Sequence, residues 1–242
     1  MTIISECRIS AVILAGGLGT RLRGVVSDRP KPMAPVAGRP FLEWQIDYWM
    51  AQGVRHFVLS VGYRREAIEA HFGSTFRGAR IDYAVEEQPL GTGGGVLLAL
   101  AHLDDNAPFL LLNGDTFFAV ELAPLLDFHR DCAADWTLTL FRPEETGRYM
   151  GVGLSPERRI HALAVDDTDA SSRWANGGVY LVEPQIFRRQ AWRAGDRVSL
   201  EADIMPALLA ADARFFGYPC AARFIDIGVP DDYRRAAQVL SG

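Results

Sequence analysis

Ile9-Ser10-Ala11-Val12-Ile13-Leu14-Ala15-Gly16-Gly17-Leu18-Gly19-Thr20-Arg21-Leu22 is the stretch on which the fold turns. Apart from Ser10, residues 9–15 are apolar on alternate and intervening positions alike, which suits a strand buried on both faces. That strand runs directly into a glycine-rich turn. Outward from it, apolar β-rich runs at 57–61, 81–85 and 109–112 alternate with amphipathic stretches at 41–52 and 65–72, a helix opened by the glycines at 93–95 and running to 103, and a short helix at 122–130. This βαβ rhythm predicts an α/β, Rossmann-like and mostly parallel central sheet with helices on both faces. Past Ala134 the runs shorten to 137–141, 151–154, 160–165 and 179–182, read as a small antiparallel, substrate-facing extension of the same sheet. Helices at 200–211 and 231–240 follow, the latter with Pro230 in its first turn, where a missing N–H costs nothing. No repeat or separating linker interrupts the pattern, so residues 1–242 read as a single domain.

Composition narrows the function classes. A 49% hydrophobic content against 23% charged residues supports a sizeable core rather than disorder. The net charge of -5 and the lack of any run of five like charges leave no footprint for nucleic acid or an anionic membrane. Cys7, Cys132 and Cys220 are odd in number and far apart, which argues against a disulfide framework or zinc ribbon and points to a reducing cytoplasm. Glu6 and Arg8 stand where a signal peptide needs an apolar core, and no run is long enough to span a membrane. The five histidines, His56, His71, His102, His129 and His161, show no metal-binding spacing and read as structural or surface residues. A homo-oligomer is left open.

The glycines at 16, 17 and 19 allow a tight turn whose N–H groups can face phosphate oxygens. Arg21 offers a forked cation, and Lys31, fixed between Pro30 and Pro32, a mobile one. A Walker loop would end in Gly-Lys-Ser/Thr and a dinucleotide fingerprint would show Gly-x-Gly-x-x-Gly; neither spacing is present, which also removes a nicotinamide-dependent oxidoreductase. The run 109–112 ends in Asn113-Gly114-Asp115, so Asp115 stands at the carboxyl end of a central parallel strand, the edge where α/β sheets collect ligands. Its hard oxygens suit Mg²⁺, with Gly114 keeping the approach open. Asp226, between Ile225 and Ile227, would be costly to bury without a cation or hydrogen-bond donors and is the second candidate ligand. Asp231 and Asp232 read as dipole partners of the last helix.

Taken together, Ala15-Gly16-Gly17-Leu18-Gly19-Thr20-Arg21-Leu22 and Pro30-Lys31-Pro32-Met33, with Pro35 and Gly38-x-Pro40, resemble the signature of the sugar-1-phosphate nucleotidyltransferases. The resemblance spans Val12 to Tyr233 and implies the nucleotide-diphospho-sugar transferase fold, with about 8–133 as the nucleotide-binding half and about 134–242 as the sugar-binding half. It implies that Leu14, Ala15, Gly16, Gly17, Gly19 and Thr20 hold the nucleotide, that Arg21 neutralises β/γ charge and that Lys31 reaches the α-phosphate. Glu86-Glu87-Gln88-Pro89-Leu90-Gly91-Thr92-Gly93-Gly94 resembles the loop over base and ribose, so Pro89, Gly91 and Thr92, with Asn113 and Gly114, join the nucleotide wall. Aligned on Gly91, Glu86 falls where the base edge is read; Glu87 takes that place if the register slips by one. A carboxylate accepts from both N1–H and N2–H₂ of guanine, which favours GTP, although uracil also offers one donor.

Asn176-Gly177-Gly178-Val179-Tyr180 resembles the sugar-binding strand of the family, and Glu201 its sugar-gripping acid. The family often carries a phosphate-holding lysine after that acid, but Ala202 stands here, and Arg148, Arg173 or Arg223 could substitute. Phe224-Ile225-Asp226-Ile227-Gly228-Val229-Pro230 resembles a late family element that carries the second Mg²⁺ ligand. Within the family the motifs look most like the D-glycero-α-D-manno-heptose 1-phosphate guanylyltransferases, and several are shared with mannose-1-phosphate guanylyltransferases and N-acetylmuramate-1-phosphate uridylyltransferases. The implied reaction passes GMP from GTP to the sugar 1-phosphate, giving GDP-heptose and pyrophosphate. No side-chain nucleophile is needed, because the sugar phosphate oxygen attacks. A catalytically silent sugar-nucleotide-binding subunit would have lost charged site residues; Arg21, Lys31, Asp115 and Asp226 are all present.

Overall fold

The computed structural model describes residues 9–17, 29–143, 148–164 and 174–241. In chain order these build β1 (Ser10–Leu14), β2 (Pro35–Val36), β3 (Arg39–Pro40), α1 (Phe41–Ala51), β4 (His56–Val61), α2 (Arg65–Phe72), β5 (Thr75–Phe76), β6 (Ala79–Val85) and α3 (Gly91–Ala99). Then come β7 (Phe109–Asn113), β8 (Thr116–Phe118), α4 (Leu122–Asp131), β9 (Trp136–Phe141), β10 (Val152–Leu154), β11 (Ile160–Leu163) and β12 (Ala175–Val182). The described chain closes with α5 (Met205–Ala210), β13 (Phe215–Pro219), β14 (Phe224–Asp226) and α6 (Pro230–Ser241).

Strand β1 sits in the middle of an eight-stranded sheet of order β13-β9-β12-β7-β1-β4-β6-β5. Ala11 and Ile13 pack on one face with Leu42, Ile46 and Trp49 of α1, while Val12 packs on the other with Val96 of α3 and Met205 of α5. Because both faces are covered by helices, the strand is apolar from Ala11 to Leu14 rather than alternating. The register sets the site: β1 runs parallel to β4 and β7, with Leu14 opposite Ser60 and Asn113, and β6 continues the parallel set. Four strands therefore end at one edge, where ligands gather in folds of this kind.

The second half departs from its expected form in three ways. β12 and β9 extend the main sheet, antiparallel as expected, but β10 and β11 form a separate two-stranded sheet. The outermost strand, β13, runs parallel to β9. Gly217 and Pro219 weaken its strand signal, and what holds it is tertiary: Phe215 stacks on Trp136 with ring centroids 5.4 Å apart. The helix expected at 200–211 begins as a π-helical turn, Leu200–Ile204, before α5. β14 pairs antiparallel with β8, and Phe117, Ile225, Ile227 and Ala236 form a small third core beneath α6. Among the described residues no helix is long and apolar enough to cross a membrane, and Cys132 and Cys220 are free; Cys7 lies outside the described residues.

His129 of α4 is only 2% exposed, with Nδ1 2.8 Å from Thr137 Oγ1. Burial pushes its pKa down to about 4, against a raising influence of Asp135. The unfolded chain thus takes up a proton below about pH 6.5 that the folded chain refuses until about pH 4, so stability falls as pH drops through that window. The full effect is roughly 3 kcal/mol. Urea unfolding at pH 7, 6, 5 and 4 should show this decline, and His129→Asn should flatten it; an equal decline in the variant would remove His129 as its source.

Candidate active site

At the edge where β1, β4, β6 and β7 end, a cleft of about 630 Å³ opens. Leu14, Gly16, Gly17, Lys31, Pro32, Ser60, Glu86, Pro89, Gly91, Thr92, Asn113, Gly114, Asp115 and Glu201 line it. Residues from opposite ends of the chain thus meet over one sheet edge. Ala15 is buried behind that wall, its N–H donating to Ser60 O at 2.8 Å. A hollow of about 930 Å³ lies farther along the same edge, over the ends of β9 and β13, and includes Arg142, Arg148, Tyr149 and Asp232 but none of the glycine turn. Size does not decide between them: the smaller cleft gathers the glycines, Lys31 and Asp115.

Pro30 and Pro32 bracket Lys31 in a single 3₁₀ turn, closed by Ala34 N–H donating to Lys31 O at 3.0 Å. That turn aims Lys31 Nζ at Asp115, 2.5 Å from Oδ2. Asp115 is carried on the tight link between β7 and β8, and Ile227 N–H donates to its carbonyl at 2.9 Å. This backbone bond brings the end of β14, and so Asp226, alongside. Asp226 Oδ1 accepts from Gly228 N–H at 2.6 Å. A Cβ on Gly228 would lie 2.8 Å from Lys31 Nζ and 2.6 Å from Asp226 Oδ1, so the lysine and the second carboxylate crowd the same glycine. Burial pushes the Asp226 carboxyl above the ordinary range and the negative charge of Asp115 adds to it, against Gly228 N–H, Lys31 and Arg148. Two aspartates and a lysine therefore form one electrostatic unit, in which Lys31 and Asp115 line the cleft and Asp226, which does not, lies against them.

Asp232 does more than complement the α6 dipole. It is 3% exposed and takes ion pairs from Arg148 and Arg235. Arg148 also lies 3.8 Å from Asp226 Oδ2. Arg223 instead donates to Val239 O at 2.7 Å, near the end of α6. Of the two described arginines considered in place of a lysine at 202, Arg148 stands beside an aspartate of the site and Arg223 does not; Arg173 lies outside the described residues.

On the opposite wall, Glu86 Oε2 accepts from Leu90 N–H at 2.9 Å and Oε1 from Ser60 Oγ at 3.2 Å. The carboxylate thereby shapes the turn that opens α3 while still lining the cleft. Glu87 is exposed and pairs with Arg65. Asn176, Gly177 and Gly178 form an irregularity in β12, where the register with β9 shifts. Asn176 Nδ2 donates to the hydroxyl of buried Tyr180 at 2.7 Å, and Gly178 packs against the Asn113 side chain. Asn176 and Gly177 thus stand beside the strand end that presents Asp115, although they do not line the cleft itself. Gly19, Thr20 and Arg21 lie outside the described residues.

Gln45 was not legible as a site residue. It is 2% exposed on α1, and its Nε2 donates to Asn113 O at 2.8 Å and to Thr116 O at 2.5 Å, gripping the link that carries Asp115 from both sides. Its only signal is a polar side chain on the buried face of an amphipathic helix, and its partners lie 68 and 71 residues away. Ser60 was similarly hidden as an ordinary strand residue, whereas Arg148 was one of three arginines named in place of a lysine at 202, with nothing in the sequence to select it.

A family model described as nucleotidyl transferase matches residues 10–241. The chain is 38% identical over 232 residues to D-glycero-α-D-manno-heptose 1-phosphate guanylyltransferase of Aneurinibacillus thermoaerophilus, covering 96% of this chain and 98% of that one. It is also 38% identical over 235 residues to mannose-1-phosphate guanylyltransferase of Mycobacterium tuberculosis (strain ATCC 25618 / H37Rv), covering 96% of this chain but 65% of that protein. Among solved structures, HddC from Yersinia pseudotuberculosis complexed with GMP-PN superposes with a TM-score of 0.82 at 29% identity, over 95% of this chain and 98% of that one.

The cleft wall makes contrasting demands on two of its glycines. A Cβ on Gly114 would lie 2.3 Å from Leu14 O, a backbone atom that cannot swing aside, whereas one on Gly17 would meet nothing within 4 Å among the described residues. Gly114→Ala should lower the melting temperature by roughly 2–8 °C, and Gly17→Ala should leave it within about 2 °C. Thermal unfolding of both variants checks this, and equal melting temperatures would contradict it.

Proposed function

The chain belongs to the nucleotidyl transferase family, and within it we propose a guanylyltransferase that joins GMP from GTP to D-glycero-α-D-manno-heptose 1-phosphate in the cytoplasm. The observation that carries this reading is the meeting of Lys31 and Asp115, which line a cleft walled by Gly16 and Gly17, with Asp226 against them from a third distant part of the chain. The heptose 1-phosphate guanylyltransferase relative, 38% identical along almost the whole of both chains, favours that sugar. Mannose 1-phosphate is the second reading, supported by the equally identical mycobacterial relative.

In the proposed reaction a phosphate oxygen of the sugar 1-phosphate forms a bond to the α-phosphorus of GTP. The bond from that phosphorus to the bridging oxygen breaks, and pyrophosphate leaves with the electron pair. The attacking oxygen is already anionic, so the protein's work is alignment and charge compensation. Gly16 and Gly17 wall the cleft on the side we assign to the phosphates; the sequence resemblance assigns Gly19 to the phosphates and Arg21 to the departing pyrophosphate. Lys31 is held within reach of Asp115 and can shift its charge toward the α-phosphate. Glu86 offers two acceptor oxygens to the N1–H and N2–H₂ of guanine, and Leu14, Pro89, Gly91, Thr92, Asn113 and Gly114 line the cleft assigned to base, ribose and phosphates, with Ala15 buried behind them. Asn176, Gly177 and Glu201 receive the sugar from the other half of the chain.

The donor set fits a divalent cation. Asp115 and Asp226 are hard-oxygen ligands brought close at a partly open position, their side chains 37% and 23% exposed, and Mg²⁺ is content with one or two such carboxylates. Bound between them, Mg²⁺ would supply charge neutralisation for the phosphate oxygens. The grouping of Lys31, Asp115 and Asp226, with Arg21 retained in the sequence, gives no support to a catalytically silent subunit.

Pyrophosphate release should be measured for GTP, ATP, CTP and UTP against heptose, mannose, glucose and N-acetylmuramate 1-phosphates. GTP with heptose 1-phosphate is expected to give the highest kcat/KM. Asp115→Asn and Asp226→Asn should each lower that value by about 100-fold or more with the fold retained, and Glu86→Gln should reduce GTP use more than UTP use. Preference for another pair, or full activity in both aspartate variants, would overturn the assignment.

A further inference from the structure

The wall of the cleft contains one cross-link between its two halves that the reaction as described leaves unused. The start of α3 and the segment leading into α5 are zipped by backbone bonds: Gly94 N–H donates to Val198 O at 3.1 Å, and Val198 N–H donates to Leu90 O at 2.9 Å. Between these strands of chain sits the Thr92 side chain. Its Oγ1 accepts from Leu200 N–H at 2.8 Å and donates to Glu201 Oε2 at 2.8 Å. A threonine hydroxyl has a single proton to give, and here that proton goes to the carboxylate.

Glu201 is held from its own side as well. It lies in the π-helical turn Leu200–Ile204, which Ser199 caps by accepting from Ala202 N–H at 3.1 Å, and Ser199 Oγ reaches Glu201 Oε2 at 3.4 Å. Both hydroxyls therefore address the same oxygen. Among the described residues nothing donates to Oε1, and Glu201 lines the cleft.

From this geometry we infer that Thr92 is a positioning residue for sugar recognition: it fixes Glu201 so that Oε1 is the oxygen offered to a hydroxyl of the sugar 1-phosphate. Thr92 stands in the loop expected to cover the nucleotide, yet its donor is committed across the cleft to the sugar side. A carboxylate anchored through one oxygen loses little further freedom when the other accepts from a ligand, so affinity depends on the anchor. The inference rests on the reading of Glu201 as the acid that receives the sugar.

Steady-state kinetics with GTP and D-glycero-α-D-manno-heptose 1-phosphate test it. Thr92→Val keeps the shape and removes the hydroxyl; it should raise the KM for the sugar 1-phosphate about tenfold while changing the KM for GTP less than about threefold. Thr92→Ser, which restores the donor, should recover most of the loss. A merely structural contribution would move both KM values together and would not be rescued by serine, which would overturn the proposal. A rise confined to the KM for GTP would overturn it too, by making Thr92 a nucleotide contact. Glu201→Gln separates the two layers of argument. If it raises the sugar KM while Thr92→Val does not, the positioning role alone falls; if it leaves the sugar KM unmoved, the sugar reading of Glu201 falls and takes the proposal with it.

Discussion

Two carboxylates held side by side at the margin of a low-dielectric core repel each other, and much of the site is arranged around tolerating that repulsion at Asp115 and Asp226. Burial and Asp115 together push the Asp226 carboxyl toward its neutral form. Opposing them are Lys31 on Asp115, Arg148 near Asp226 and the Gly228 N–H on Asp226. The compensation is partial by design of the sheet: the backbone bond from Ile227 N–H to Asp115 O forces the two links together whatever their side chains prefer. A pair so placed costs stability, since an apolar pair there would fold more readily.

The surrounding structure makes that placement rigid. Gly114 passes so close to Leu14 O that β1 and β7 end in a fixed relation, and Gln45 grips the Asn113 and Thr116 carbonyls from beneath. The parallel register brings Leu14, Ser60 and Asn113 to the same level. The glycine turn and the aspartates therefore share a common platform, although they are separated by about a hundred residues or more along the chain. On the far wall Glu86 organises its own loop through Leu90 N–H and Ser60, and Thr92 carries that order across to Glu201.

What could be read beforehand follows a physical divide. The central strands and their helices were legible because burial on both faces writes itself into long apolar runs, and the glycine turn, Lys31 and Asp115 were legible because backbone freedom and charge stand out against such runs. β13 was not, because its stability resides in stacking on Trp136 rather than in its own composition. The π-helical start of the 200–211 segment was equally hidden, as it depends on the Ser199 cap and on contacts with α3. Asp232 looked like a helix-dipole residue in sequence and proved to be a buried acid receiving two arginines, a role that needs Arg148 to arrive from 84 residues away. Long-range polar contacts of this kind leave no periodic trace. The family followed from motifs spread along the chain.

In the proposed reaction Asp115 and Asp226 serve one metal-bound nucleotide that also lies along the glycine turn. Crystals grown with a non-transferable GTP analogue and Mn²⁺ test this directly through anomalous diffraction. A peak within about 2–2.5 Å of a carboxylate oxygen from each aspartate, with the phosphates along residues 16–21, is the expected result. A peak held by only one of them, or phosphates bound away from the turn, would contradict it.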